Sequence, residues 1–212
     1  MKLFRFAAIL MAGAALSACS SAQSGGTGGP AVVPTRTNIG GQTSHVGTTY
    51  AATQVGGAPG TLSGITVAKS TINGQPMWLN TGAQTSIAGY ESANVLAIGG
   101  FNNNALIKGV SGVLTTTPLT GTATYTGRYS QTTPTSVNSG ALSIDVNFAA
   151  NTFADTTAGV SVSGTISGTQ FTGTYTRGGL SAPLAGGFFG TNEMVGAFGN
   201  STVAGVIYGT TP

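Results

Sequence analysis

Between Gly121 and Thr176 apolar and polar residues alternate with a period of two. In 121–130, Gly121, Ala123, Tyr125, Gly127 and Tyr129 share one face, and Thr122, Thr124, Thr126, Arg128 and Ser130 share the other. In 142–149, Leu142, Ile144, Val146 and Phe148 alternate with Ser143, Asp145, Asn147 and Ala149. The rhythm continues through 160–167, with Val160, Val162, Gly164 and Ile166 on one face, and through 171–176, with Phe171, Gly173 and Tyr175. Side chains of a strand point to opposite faces in turn, so this pattern, rich in Thr and aromatics, predicts half-buried strands. Turn-forming residues cluster at Pro134–Gly140, Asn151–Gly159, Ser167–Thr169 and Gly178–Pro183. Three further runs follow, 184–190, 193–199 and 203–210, with Asn200-Ser201-Thr202 as the hairpin between the last two. Val95 to Phe101 reads as the first strand, and no segment after Leu16 shows a helical period.

These runs predict an all-β fold of about eight antiparallel strands, and closure into a barrel would remove the exposed edges. A barrel of about eight strands has an interior that side chains can fill. Gly127, Gly164, Gly173, Gly186, Gly196 and Gly205 on the inward face leave room beside Tyr125, Phe148 and Phe171, so a packed interior is expected. A membrane-spanning barrel needs strands of about 9–11 residues and an apolar outer band; the shorter runs and the Thr/Ser face argue against it. The polar face fails in the final strands, where Ala185, Phe189, Val195, Ala197, Ala204, Val206 and Tyr208 point outward. Residues 36–93 are expected to cover that patch as a small strand-rich subdomain, with Met77 and Trp78 on a hairpin turning at Asn73-Gly74. A partner-docking face and a one-residue register slip are the other readings.

Composition narrows the class. The 212 residues include 35 glycines and only 5% charged residues, which excludes coiled coils and charged disordered chains. The cations of the body are scattered singly, which excludes a nucleic-acid face. At the N-terminus, Lys2 and Arg5 precede an apolar run from Phe6 to Leu16, too short for a membrane span. Leu16-Ser17-Ala18-Cys19 resembles the lipobox of bacterial lipoproteins. The resemblance implies a signal peptide over 1–18, lipidation of Cys19, and, with Ser20 next, export to the outer membrane. Removal of Lys2 and Arg5 takes the formal net charge from +3 to +1. Residues 19–35, rich in Ser, Gly and Thr, read as a flexible tether.

Five pieces in order carry a second resemblance: Gly121-Thr-Ala-Thr-Tyr-Thr-Gly127, Val146-Asn-Phe148-Ala-Ala-Asn151-Thr, Phe171-Thr-Gly-Thr, Gly186-Gly-Phe-Phe-Gly190-Thr-Asn-Glu193 with Gly196-Ala-Phe198, and Val203-Ala-Gly-Val206. Together they resemble the C-terminal β-barrel domain of transferrin-binding protein B and its relatives, including factor H binding protein. The resemblance covers about residues 94–212. It implies a surface-anchored lipoprotein with a filled eight-stranded barrel that presents loops to a partner. The chain is much shorter than the two-lobed transferrin binders and lacks their long charged loops, so transferrin itself is not carried over.

Residues with catalytic potential are sparse. His45 is the single histidine and Cys19 the single cysteine, whereas a zinc site takes three or four protein ligands. Glu91, Asp145, Asp155 and Glu193 lie far apart in sequence, with no spacing that suggests an acid–base pair. No G-x-S-x-G, P-loop or G-x-G-x-x-G motif occurs. His45 reads as a loop residue, with a haem or metal ligand as the sharper alternative. The sequence therefore leads to a monomeric outer-membrane lipoprotein, exposed at the cell surface, that acts as a non-enzymatic binding module without cofactor. Its host-protein or solute ligand would sit on loops such as 131–139 and 151–158. A structural, envelope-maintaining lipoprotein is the alternative, and a haem or small-solute carrier a third.

Overall fold

The computed structural model describes residues 35–46, 49–53, 62–66, 71–72, 75–82, 84–155 and 157–212. The signal peptide, Cys19, most of the tether and the Asn73-Gly74 turn lie outside the described residues, as does the side chain of Trp78. Every described element is a strand, and every pairing is antiparallel.

Among the described residues, nine strands precede the barrel. They are β1 (Thr37–Ile39), β2 (Thr43–Val46), β3 (Thr49–Thr53), β4 (Leu62–Thr66), β5 (Thr71–Ile72), β6 (Gln75–Gly82), β7 (Thr85–Glu91), β8 (Val95–Asn102) and β9 (Ala105–Gly112). A six-stranded sheet has the order β1-β9-β8-β7-β6-β5, and β2-β3-β4 form a small second sheet. The closed barrel follows, from β10 (Thr122–Thr133), β11 (Ser136–Asn147), β12 (Thr152–Asp155), β13 (Val160–Ser167), β14 (Gln170–Arg177), β15 (Leu180–Phe189), β16 (Glu193–Gly199) and β17 (Ala204–Thr210).

The architecture is the expected one, an eight-stranded barrel with a preceding strand-rich region, but the boundary moves. The barrel starts at Thr122, not near residue 94, and Val95–Phe101 belongs to the six-stranded sheet as β8. The reason is burial on both faces. Val95 and Ala97 pack toward the barrel wall, whereas Leu96 and Ile98 pack with Tyr50, Ala52, Ile87 and Ile107 toward the small sheet. The eighth barrel strand is instead β12, inside the stretch expected to be a turn.

The barrel interior is filled. Tyr125, Tyr129, Leu142, Ile144, Val146, Phe153, Val162, Phe171, Tyr175, Phe188 and Phe198 form one buried cluster, joined by the partly buried Phe148 and Val160. Tyr175 stacks on Phe198 at 3.8 Å, and Phe171 meets Phe153 and Phe188 edge-on at 5.1 and 5.7 Å. Gly164 lies opposite Gly173, and Gly186 opposite Gly196. A Cβ at Gly164 would come within 2.7 Å of the Phe153 ring, so these glycines are the space that the aromatics occupy.

The apolar patch of the last strands is covered from within. Phe189, Val195, Ala197, Val206 and Tyr208 are buried against Ile39, Met77, Ala88, Tyr90, Val95, Ala97 and Val110. Tyr90 stacks on Tyr208 with ring centroids 4.4 Å apart. The Tyr90 hydroxyl donates to Glu193 Oε1 at 2.7 Å, and Asn94 Nδ2 donates to Oε2 at 2.8 Å. Glu193 is 7% exposed, so this carboxylate joins sheet to barrel out of bulk water. Burial, and then the bond to Glu193, push the Tyr90 phenol far above its ordinary value.

Candidate functional site

Antiparallel neighbours joined in sequence place their turns at alternate ends of the barrel. Four connections therefore gather at one rim: Pro134–Thr135, the segment before Val160, Gly178–Gly179, and Asn200–Thr202. Of the two loops expected to bind, 131–139 and 151–158, only the turn after Thr133 and the segment between Asp155 and Val160 lie at this rim, because Asn151 belongs to the turn at the opposite end. Residues 131–133 and 136–139 are strand, which leaves a two-residue turn, and Thr152–Asp155 is β12. Likewise the chain resumes as strand at Leu180, and Pro183 sits within β15 opposite Thr174.

Three of these turns are held by their own polar groups. Thr133 Oγ1 accepts from the Ser136 amide at 3.1 Å. Asp155 Oδ1 accepts from the Thr157 amide at 2.6 Å. Asn200 Oδ1 accepts from the amides of Thr202 and Val203 at 2.9 and 3.0 Å, the self-capping that favours Asn in turns. Thr135, Ala158, Gly159, Gly178, Gly179, Ser201 and Thr202 are exposed. The Ser86 hydroxyl of β7 donates to the Ser136 carbonyl at 3.3 Å. A trough of about 460 Å³ lies there, lined by Thr81, Gly82, Thr85 and Ser86 on one side and 134–137 on the other.

Beneath the rim the interior turns polar. The Arg177 guanidinium lies 5.3 Å from the centre of the Tyr129 ring, within cation–π range. The Tyr175 hydroxyl donates to Gln131 Oε1 at 2.9 Å. Burial is the main reason that the Tyr175 phenol sits well above its ordinary value. Asp155 Oδ2 is buried without a hydrogen-bond partner. Sequence reasoning missed this Arg–Tyr–Gln–Asp lining; its one signal is that Gln131, Asp155 and Arg177 continue the inward phase of their strands.

The four carboxylates remain separate. Glu91 accepts from the Tyr50 hydroxyl at 2.7 Å, Asp145 from Thr124 Oγ1 at 2.7 Å, Asp155 from the Thr157 amide, and Glu193 from Tyr90 and Asn94. The backbone of His45 lies in β2 opposite Tyr50, and its side chain lies outside the described ones. Among the described residues no group of three or more His, Cys, Asp or Glu side chains is placed to hold a metal ion. The run from Gly186 to Gly190 is the end of β15 and its turn.

No protein-family model and no curated protein matches the sequence. Solved structures do match. The apo haemoglobin receptor HpuA from Kingella denitrificans aligns with a TM-score of 0.50 and 12% identity, covering 85% of this chain and 88% of that one. Transferrin binding protein B from Neisseria meningitidis aligns with a TM-score of 0.47 and 16% identity over 71% of this chain, which spans 38% of that structure. The N-lobe of lactoferrin binding protein B from Moraxella bovis aligns with a TM-score of 0.41 and 13% identity over 66% of this chain. The chain thus shares its fold, over nearly the whole length of both molecules, with the haemoglobin receptor from Kingella denitrificans.

Proposed function

We propose that the chain is a lipid-anchored, non-enzymatic capture protein of the outer membrane. Cys19 carries the lipid, residues 20–35 form the tether, and the barrel rim holds a protein partner. The observation that carries this reading is the filled interior. Aromatic and aliphatic side chains occupy the barrel from wall to wall, so a ligand meets the outside of the molecule, and the rim is where exposed turns converge. The shared fold with a haemoglobin receptor supports the same reading by analogy of fold. The separation of the carboxylates, each held by its own donors, supports binding over catalysis.

Site-directed photocrosslinking on intact cells tests it. With a crosslinker at Thr135 or Ser201, a protein adduct is expected, and protease added outside should cleave the chain. A crosslinker at Thr174, on the wall, should yield none. A chain that resists external protease and gives no rim adduct would favour the envelope-maintenance reading instead.

A further inference from the structure

The barrel wall left uncovered by the six-stranded sheet carries hydroxyl groups in register. One rung across it reads Thr122, Asn147, Thr152, Thr165, Thr172, and the next reads Thr124, Asp145, Ala154, Ser163, Thr174. All ten residues are exposed, and Asp145 is the one charged group among them. A wall that needed only solubility would be built from charges of both signs. At the start of these rungs β10, β11 and β12 form an open trough of about 560 Å³, within the roughly 300–1,000 Å³ range of small-molecule sites. Its exposed lining is Thr122, Thr124, Asp145, Asn147, Thr152 and Ala154.

We propose that this trough binds neutral saccharide. The lining supplies a carboxylate that only accepts, an amide that donates and accepts, and three hydroxyls that do either. Vicinal hydroxyls of a sugar need that mixture. Asp145 is already oriented, because Thr124 Oγ1 donates to its Oδ1 at 2.7 Å, which leaves Oδ2 for a ligand hydroxyl. Phosphate and carboxylate ligands are disfavoured, since the trough holds an anion and no Lys or Arg. Large apolar ligands are disfavoured too, because Val146 and Phe153, which also line it, are buried. The register of the rungs extends the same hydroxyl chemistry along the wall, so an oligomer suits it better than a single sugar. This site lies on the side of the barrel and is independent of the rim.

The test is NMR titration of the isotopically labelled full chain in detergent with an α-1,4-linked glucose hexamer and a β-1,4-linked N-acetylglucosamine hexamer. Saturable shifts at 122–124, 145–147 and 152–154, unchanged in 0.5 M salt, are expected with at least one of them. Asp145→Ala should weaken the affinity about tenfold or more and Thr152→Val measurably. These positions are exposed, so the variants should keep the wild-type spectrum elsewhere. Absence of shifts with both hexamers, shifts confined to the rim, or equal affinity in Asp145→Ala would overturn the proposal.

Discussion

Inside the barrel a glycine acts as space, and that role can be measured. A Cβ at Gly186 would lie 2.4 Å from Phe171 Cζ and 2.2 Å from the Val195 carbonyl oxygen. Gly186→Ala should therefore cost about 1–3 kcal/mol through overpacking, read from the urea midpoint at constant slope. Phe171→Ala should cost about 3–5 kcal/mol by opening a cavity at a fully enclosed ring. The double variant should cost less than the sum, because the small residue relieves part of the clash; strict additivity would show that the two residues do not share that space. The opposite face behaves differently. Thr172 is exposed between two partially buried or exposed neighbours across the sheet, and Thr172→Ala should stay within about 0.5 kcal/mol. Equal losses on the two faces would contradict the observed packing.

At the scale of elements, legibility followed the number of buried faces. Strands β11, β13 and β14 and the first half of β10 bury one face and expose the other, so their alternation is plain in the residues; at Ser130 and Thr132 the outward face of β10 is buried as well. Phe148 lies less deep than its neighbours Ile144 and Val146, because it sits past the end of β11. In β8, Val95 and Ala97 face the barrel while Leu96 and Ile98 face the small sheet, so its apolar run carries no rhythm that assigns it to a sheet. β12 is the reverse case. It is four residues long, and Asn151 and Gly159, both with positive φ, bracket it so closely that the turn signals mask it. A single inward aromatic, Phe153, marks it as strand, 3% exposed and packed on Phe171. The short rim turns were obscured because Pro134 and Pro183 both read as breaks, although Pro183 lies within a strand. Phe153→Ala separates the two assignments. As a barrel strand it should lose about 3–5 kcal/mol, as Phe171→Ala does, whereas a solvated loop would change by about 0.5 kcal/mol or less.

At the scale of the whole molecule, the described residues from Thr35 onward form a stack: small sheet, six-stranded sheet, barrel wall. Lipidation would hang that stack from a membrane, since two acyl chains suffice for stable anchoring at about 0.8 kcal/mol per buried CH₂. Cys19→Ala should therefore leave the protein soluble or unprocessed, and unchanged outer-membrane fractionation would contradict the anchor. The stack itself has an alkaline weakness that follows from its phenols. Burial raises Tyr90, Tyr125, Tyr175 and Tyr208 above the ordinary phenol value, most strongly Tyr90 and Tyr175. An unfolded tyrosine releases its proton near pH 10 (about its unperturbed pKa), while the folded one holds it. Their contribution is thus intact below that pH and is lost as pH rises toward the folded values. Lys108, lowered by burial, works in the opposite direction, so the comparison must be between variants. Tyr90→Phe removes one titrating group and also the hydrogen bond to Glu193 across the layers. It should start less stable at pH 8, by about 1–3 kcal/mol for a buried acceptor left with one partner fewer, yet decline less steeply between pH 9 and pH 11 (roughly the window around the free phenol). Denaturant unfolding at each pH measures both quantities. A variant that declines as steeply as the wild type would show that Tyr90 is not kept protonated at the seam between sheet and barrel.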